Sequence, residues 1–227
     1  MIRNLSKRKT QDTTSNTYTK YCRKCNFEFK GVSVRFISLF LITVSFGWSL
    51  EIGVDAPSFA AKDTNGVIHR LADYKGKIVV LEWKNHRCPY VVKHYATNNM
   101  QNLQRDLVGK GVVWFSILSS APGKQGHVSP EEANSIVDAE NSEASAVLMD
   151  TAGVIGRRYS AKKTPHMFVI DTAGKLAYQG AIDDNSSARK ATVEGAQNYV
   201  RDAVAALQAN QKISITSTEA YGCSVKY

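Results

Sequence analysis

The chain has 227 residues, of which 43% are hydrophobic and 22% charged. That is enough to bury a real core, and it excludes a disordered or fibrous chain. The formal charge of +9 sits mostly in residues 1–50, which hold nine Lys/Arg against two Asp/Glu, while residues 51–227 hold twenty against eighteen. The folded part is therefore nearly neutral, and the high pI makes no case for nucleic-acid binding.

Residues 1–50 read as a basic leader. Lys30 and Arg35 precede the apolar run "FISLFLITVSFGWSL", Phe36 to Leu50. A charged start, a short apolar stretch and small residues after it resemble a secretory signal. About fifteen residues is short for a membrane span. The alternative is an uncleaved N-terminal anchor, and only then is a membrane a partner. Export would place the chain in the periplasm if its source is a Gram-negative bacterium. The leader also holds "CRKC", Cys22 to Cys25, a single pair with no second pair of ligands beside it. Without the leader, the cysteines left are Cys88 and Cys223. An exported compartment tolerates disulfides.

Residues 51–208 read as one domain. Asp63 to Gly66 marks a turn between two short runs that pair as a hairpin. Lys77 to Trp83 reads as a buried strand. From Pro89 to Val108 one helix is expected, with Val92, Tyr95, Ala96, Met100, Leu103 and Leu107 on its apolar face. Gly111 to Leu118 is a second buried strand, followed by the loop "SSAPGKQGH". "SPEEANSIVDAE" opens a helix, with Ser129 as cap and Pro130 in the first turn. A strand "ASAVLMD" and a short helix "GVIGRRY" follow. "HMFVID" and "GKLAYQG" form a hairpin. Residues 188–208 are read as helical, with Val193, Ala196, Val200, Ala203, Val204 and Leu207 on one face. Residues 209–227 read as a tail without regular structure. Alternating strands and helices point to an α/β fold: a central mixed sheet with helices on both faces.

Cys88 stands where a strand ends and a helix begins, in "EWKNHRCPYVVKHY". Unpaired N–H groups and the positive helix end favour a thiolate there. Arg87, Lys84 and Lys93 add positive charge, and His86 adds more when protonated. Trp83, Pro89 and Tyr90 are expected to shape the site. The other reading of Cys88 is a buried structural cysteine.

Taken together, "GVDAPSFAAKDTNG…LADYKGKIVVLEW", a cysteine at the next helix start, and "TPHMFVIDTAGKLAYQGAID" resemble the thioredoxin-like superfamily. The branch they resemble is that of peroxiredoxin-like redoxins, the alkyl hydroperoxide reductase and thiol-specific antioxidant proteins. The ending "YGCSVKY" is similar to that of an exported subgroup. The resemblance covers residues 51–208. It implies a thioredoxin-like fold, Cys88 as nucleophile, and a cis bond at Pro165, with Thr164 and Pro165 lining the site. It implies a thiol-dependent oxidoreductase acting on a peroxide or a disulfide, with an external thiol reductant or a thioredoxin-like partner. No cofactor is called for.

The chain departs from the family in two ways. Peroxiredoxins carry Pro-x-x-x-Thr-x-x-Cys, and here Leu81 and Asn85 hold the Pro and Thr places. Asn85 is expected to hydrogen-bond the thiolate or the peroxide instead. Exported thioredoxins carry Cys-x-x-Cys, and here Val91 holds the second place. A second thiol, where the chemistry uses one, comes from elsewhere. Fourteen residues separate the last helix from Cys223, and extended they span roughly 45 Å. A domain of this size is about 40 Å across, so Cys223 can reach Cys88 and resolve it as a disulfide. A partner protein or small thiol is the alternative resolver, and the third reading leaves Cys223 structural or unpaired. His86, His94 and His166 keep a second class open: a copper- or zinc-binding, or protein-binding, module without turnover. No metal ligands are assigned.

Overall fold

The computed structural model describes residues 50–227. The basic leader, its "CRKC" pair and all but the last residue of its apolar run lie outside the described residues. No helix among the described residues is long and apolar enough to cross a membrane.

The domain opens with a hairpin of β1 (Ala60–Lys62) and β2 (Ile68–Arg70). Its turn is closed by Asp63, whose carboxylate accepts from the N–H groups of Asn65 and Val67. Then come β3 (Val79–Trp83), α1 (Pro89–Tyr95), α2 (Asn99–Gly109), β4 (Val113–Leu118), α3 (Pro130–Glu140) and β5 (Ala146–Met149). They are followed by α4 (Val154–Arg158), β6 (Lys163–Thr164), β7 (His166–Ile170), β8 (Leu176–Gly180), α5 (Tyr199–Gln208) and β9 (Cys223–Ser224).

The central sheet has the order β5-β4-β3-β7-β8. β3 runs parallel to β4 and antiparallel to β7, so the sheet is mixed. Every residue of β3 and β4 is buried, as expected of strands covered on both faces. One face packs Val80, Trp114, Met167 and Val169 against α1, α2 and α5. The other packs Leu81, Trp83, Phe115 and Phe168 against Phe59, Leu71, Ile155 and Tyr159. At α3, the expected cap is a complete capping box: Ser129 accepts from the Glu132 N–H, and Glu132 accepts from the Ser129 N–H.

Three elements differ from the sequence reading. The helix expected from Pro89 to Val108 is broken into α1 and α2 at Asn98, which lies in the left-handed region with φ of 57°. Asparagine tolerates that conformation, and the Thr97 hydroxyl takes up the Lys93 carbonyl at the break. The short first helix buries Val91, Lys93 and His94 and leaves Val92 and Ala96 exposed, contrary to the expected apolar face.

The last helix begins at Tyr199, not at 188. Asn198 caps it by accepting from the Arg201 N–H. The preceding residues form a loop pinned through Asp184 and Gln197, so Val193 and Ala196 lie off the helix.

The tail is the largest correction. Residues 216–218 run beside β8, with hydrogen bonds between Gln179 and both Thr216 and Thr218. The chain then forms β9, antiparallel to β6. It ends with Tyr227 laid over Gly153 and Gly156 of the α4 region. Propensity hides this segment because backbone pairing to an edge holds it, not a long apolar pattern.

Candidate active site

Cys88 is the N-cap residue of α1, and Pro89 occupies the first turn. The Cys88 N–H donates to the Asn85 carbonyl, and the Cys88 carbonyl accepts from Val91 and Val92. Those bonds fix the cysteine at the junction of strand and helix. Its side chain is fully buried, and its thiol donates to the Thr164 carbonyl at 2.9 Å.

The Thr164–Pro165 peptide bond is cis. Thr164 pairs with Cys223 across the ladder of β6 and β9, and Lys163 pairs with Ser224. Gly222 makes this approach possible: its φ is +124°, and a Cβ there would stand 2.1 Å from the Thr164 carbonyl oxygen. Cys223 packs against the core cluster that contains Cys88. Both thiols are free.

The two thiols are unequal. Burial opposes ionisation of Cys88, but the Cys223 thiol, the Thr164 side chain and the N–H groups of Cys223 and Val91 outweigh it. They hold Cys88 below its ordinary value. Burial, followed by the hydrogen bond and charge of Cys88, pushes Cys223 up to about 11. The Thr164 hydroxyl is buried with no hydrogen-bond partner in the protein. A donor is thus stored next to the sulfur that would carry charge.

Several expected site residues do other work. Asn85 spends its amide on the neighbouring loop, donating to Gln125 and accepting from the Arg87 N–H. No hydrogen bond runs from the Asn85 side chain to Cys88 in this structure. Trp83 belongs to the opposite face of the sheet from Cys88, where its indole donates to Ser119. Alternation along β3 turns it away. Lys84 pairs with Glu140 and lies over the Tyr95 ring. Lys93 is buried and donates to the Asn185 carbonyl at 2.7 Å, so it is no surface cation. Arg87 and Pro89 are exposed beside Cys88, and His86 and Tyr90 are half-buried. Burial, then the Arg87 and Lys84 charges, hold His86 below its ordinary value.

Sequence reasoning missed a buried polar cluster beneath the tail. The Asp183 carboxylate lies 3.8 Å from both Lys93 Nζ and His94 Nε2. It accepts from the Tyr221 hydroxyl. Burial pushes the Asp183 carboxyl up and the Lys93 ammonium down, while their mutual attraction opposes both shifts. A cleft of about 590 Å³ opens beside this cluster, lined in part by Tyr90, Lys163, Asp183, Tyr221 and Gly222. Glu82 was also missed. It is fully buried in β3 and accepts from Tyr95, Gln104, Trp114 and Ser116. A lone carboxylate inside the apolar run of β3 was the available signal. Among the described residues, no group of three or more His, Cys, Asp or Glu side chains is placed to share a metal ion.

The family model for AhpC/TSA proteins matches residues 52–179, which hold both Cys88 and the cis Thr164–Pro165 bond. The chain belongs to the AhpC/TSA family. As a member it is a thiol-dependent oxidoreductase by class. Among solved structures, it is similar to an uncharacterised conserved protein from Geobacillus kaustophilus, at 26% identity and a TM-score of 0.68, covering 79% of this chain and 93% of that one. A hypothetical protein from Sinorhizobium meliloti 1021 matches at 24% identity and a TM-score of 0.68, covering 79% and 96%. A structure described as a thiol:disulfide interchange protein DsbE from Chlorobium tepidum matches at 24% identity and a TM-score of 0.52, covering 70% and 99%. These likenesses establish the thioredoxin-like fold of this AhpC/TSA chain. No curated protein matches it.

Proposed function

We propose that Cys88 and Cys223 form a redox pair that cycles between dithiol and disulfide in exchange with an external disulfide. One observation carries the reading: the β6–β9 ladder holds Cys223 opposite Thr164, whose carbonyl takes the Cys88 thiol hydrogen bond. The unequal thiols support the order of events. Cys88, held low, is the attacking sulfur; Cys223, held high, resolves it.

In the first step the Cys88 thiolate attacks one sulfur of a substrate disulfide. The S–S bond breaks, a mixed disulfide forms, and the released thiolate takes a proton. Cys223, losing its proton, then attacks the Cys88 sulfur and expels the second substrate thiol. The substrate gains two electrons and two protons, and the protein holds a Cys88–Cys223 disulfide. An external thiol reductant restores the pair. Cys88 has no exposed surface, so the tail must shift for a substrate to arrive.

The AhpC/TSA match favours a second reading, peroxide reduction. There the thiolate attacks the O–O bond, leaving a Cys88 sulfenic acid and a hydroxide or alkoxide that takes a proton. Cys223 then condenses with the sulfenic acid and releases water. The missing Thr of the peroxiredoxin motif, with Asn85 committed to the neighbouring loop, weighs against it. We place the protein outside the cytoplasm on the strength of the leader, in a compartment where cysteine pairs persist.

The test compares the chain from residue 50 onward with its Cys88→Ser and Cys223→Ser variants. Each receives a model disulfide plus reductant, and separately a peroxide. Turnover of the disulfide that is lost in Cys88→Ser, with a trapped mixed disulfide in Cys223→Ser, is the expected result. Turnover of peroxide alone moves the assignment to the second reading. Equal activity of Cys88→Ser and the parent in both assays overturns both.

A further inference from the structure

Tyr221 lies two residues before Cys223, and three of the side chains it meets stand on the helix that begins at Cys88. Its hydroxyl donates to Asp183 and meets His94 Nε2 at 3.2 Å. Its ring sits 5.1 Å from Lys93 Nζ and 5.9 Å from the Tyr90 ring, centroid to centroid. Tyr90, Lys93 and His94 all belong to α1, the short helix that begins at Cys88. One helix thus carries the first thiol at its start and the seat of the second thiol's neighbour along its length.

The seat is built at a cost. Lys93 and Asp183 are almost wholly buried. Asp183 Oδ2 has no hydrogen-bond partner in the protein, and Lys93 Nζ, the facing cation, stands 3.8 Å from it, while Oδ1 accepts from the Tyr221 hydroxyl and the Asn185 N–H. A buried ion pair of this looseness adds little stability. On the far side of Cys223 the β6–β9 ladder supplies the second restraint.

We infer that Tyr221 is a positioning residue whose ring and hydroxyl, seated on Asp183, His94, Lys93 and Tyr90, hold Cys223 against Cys88. The inference rests on the redox-pair reading and adds its positioning device. The held tail gives Cys223 a high effective concentration at Cys88. It also closes Cys88 to bulky reagents while the pair is reduced. Oxidation removes two electrons and two protons from the thiols, passed to an external disulfide such as oxidised glutathione, and joins the two sulfurs.

The experiment uses the full chain, as the parent and as Tyr221→Phe and Tyr221→Ala. Each protein is equilibrated with glutathione redox buffers, and the Cys88–Cys223 disulfide is quantified by mass. Alkylation of Cys88 by iodoacetamide is timed separately in the reduced proteins, and thermal unfolding checks that the core remains folded. Tyr221→Ala is expected to lower the disulfide equilibrium constant at least tenfold, about 30 mV for this two-electron couple. Its Cys88 is expected to react with iodoacetamide at least tenfold faster. Tyr221→Phe, which keeps the ring and loses the hydroxyl, falls between. A folded Tyr221→Ala with parental equilibrium and parental alkylation overturns the positioning role. A parent that forms no Cys88–Cys223 disulfide overturns the redox pair itself. Faster alkylation in Tyr221→Ala would then still establish that Tyr221 seats the tail over Cys88.

Discussion

Thr164 and Cys223 face each other across a two-residue antiparallel ladder, and Thr164 also accepts the Cys88 thiol hydrogen bond. Thr164 is therefore the hub between the two cysteines. Its carbonyl serves the thiol, its backbone carries the tail, and its buried hydroxyl has no hydrogen-bond partner in the protein.

That unpartnered hydroxyl yields the first prediction. Thr164→Val keeps the shape and removes the donor. The Cys88 pKa is expected to rise, because a donor favouring the thiolate is lost. The pH profile of Cys88 alkylation should shift to higher pH. An unchanged midpoint would assign the hydroxyl no part in holding the thiolate.

Gly222 is the second. Alanine there meets both a φ of +124° and a carbonyl oxygen 2.1 Å from its Cβ. The β6–β9 pairing should be lost, at about 1–3 kcal/mol. Hydrogen exchange should reveal faster amide exchange in residues 222–225 of Gly222→Ala, with β3 and β4 unchanged.

His94 sets a pH dependence of stability. Burial, then the Lys93 charge, pushes it down to about 3, against about 6.5 for a free imidazole. Between those values the unfolded chain binds the proton more readily than the folded one. The stabilisation is complete above about pH 6.5 and is lost as pH falls toward 3. His166, pushed down to about 4 by burial and then Lys162, acts in the same direction. The thermal midpoint should fall between pH 7 and pH 5, and His94→Gln should flatten that fall.

Ser129 offers a test away from the site. Ser129→Ala removes one half of the capping box, which is expected to cost about 1 kcal/mol. Denaturant titration should show the loss while Cys88 alkylation in the folded protein keeps its parental rate.

Much of this protein was legible in its residues. Alternating buried strands and helices specified the α/β layers, because burial on both faces demands continuous apolar runs such as Val79 to Leu81. Local chemistry placed the cap at Ser129, the turn at Asp63 and the strand-to-helix junction at Cys88. Each depends only on neighbours a few residues away.

What the residues left open was long-range. Asn85 stands three positions before Cys88, yet its amide serves the loop at Gln125. Trp83 stands five before it, yet strand alternation sends it to the other face of the sheet. The sequence allowed a second thiol at Cys223 by reach alone. Its seat opposite Thr164 depends on backbone pairing, on the missing Cβ of Gly222, and on Tyr221 finding Asp183, a residue 38 positions away. Short-range preference encodes elements and caps. A contact between segments this far apart exists only once the sheet has brought them together, and the tertiary structure alone decided that pairing.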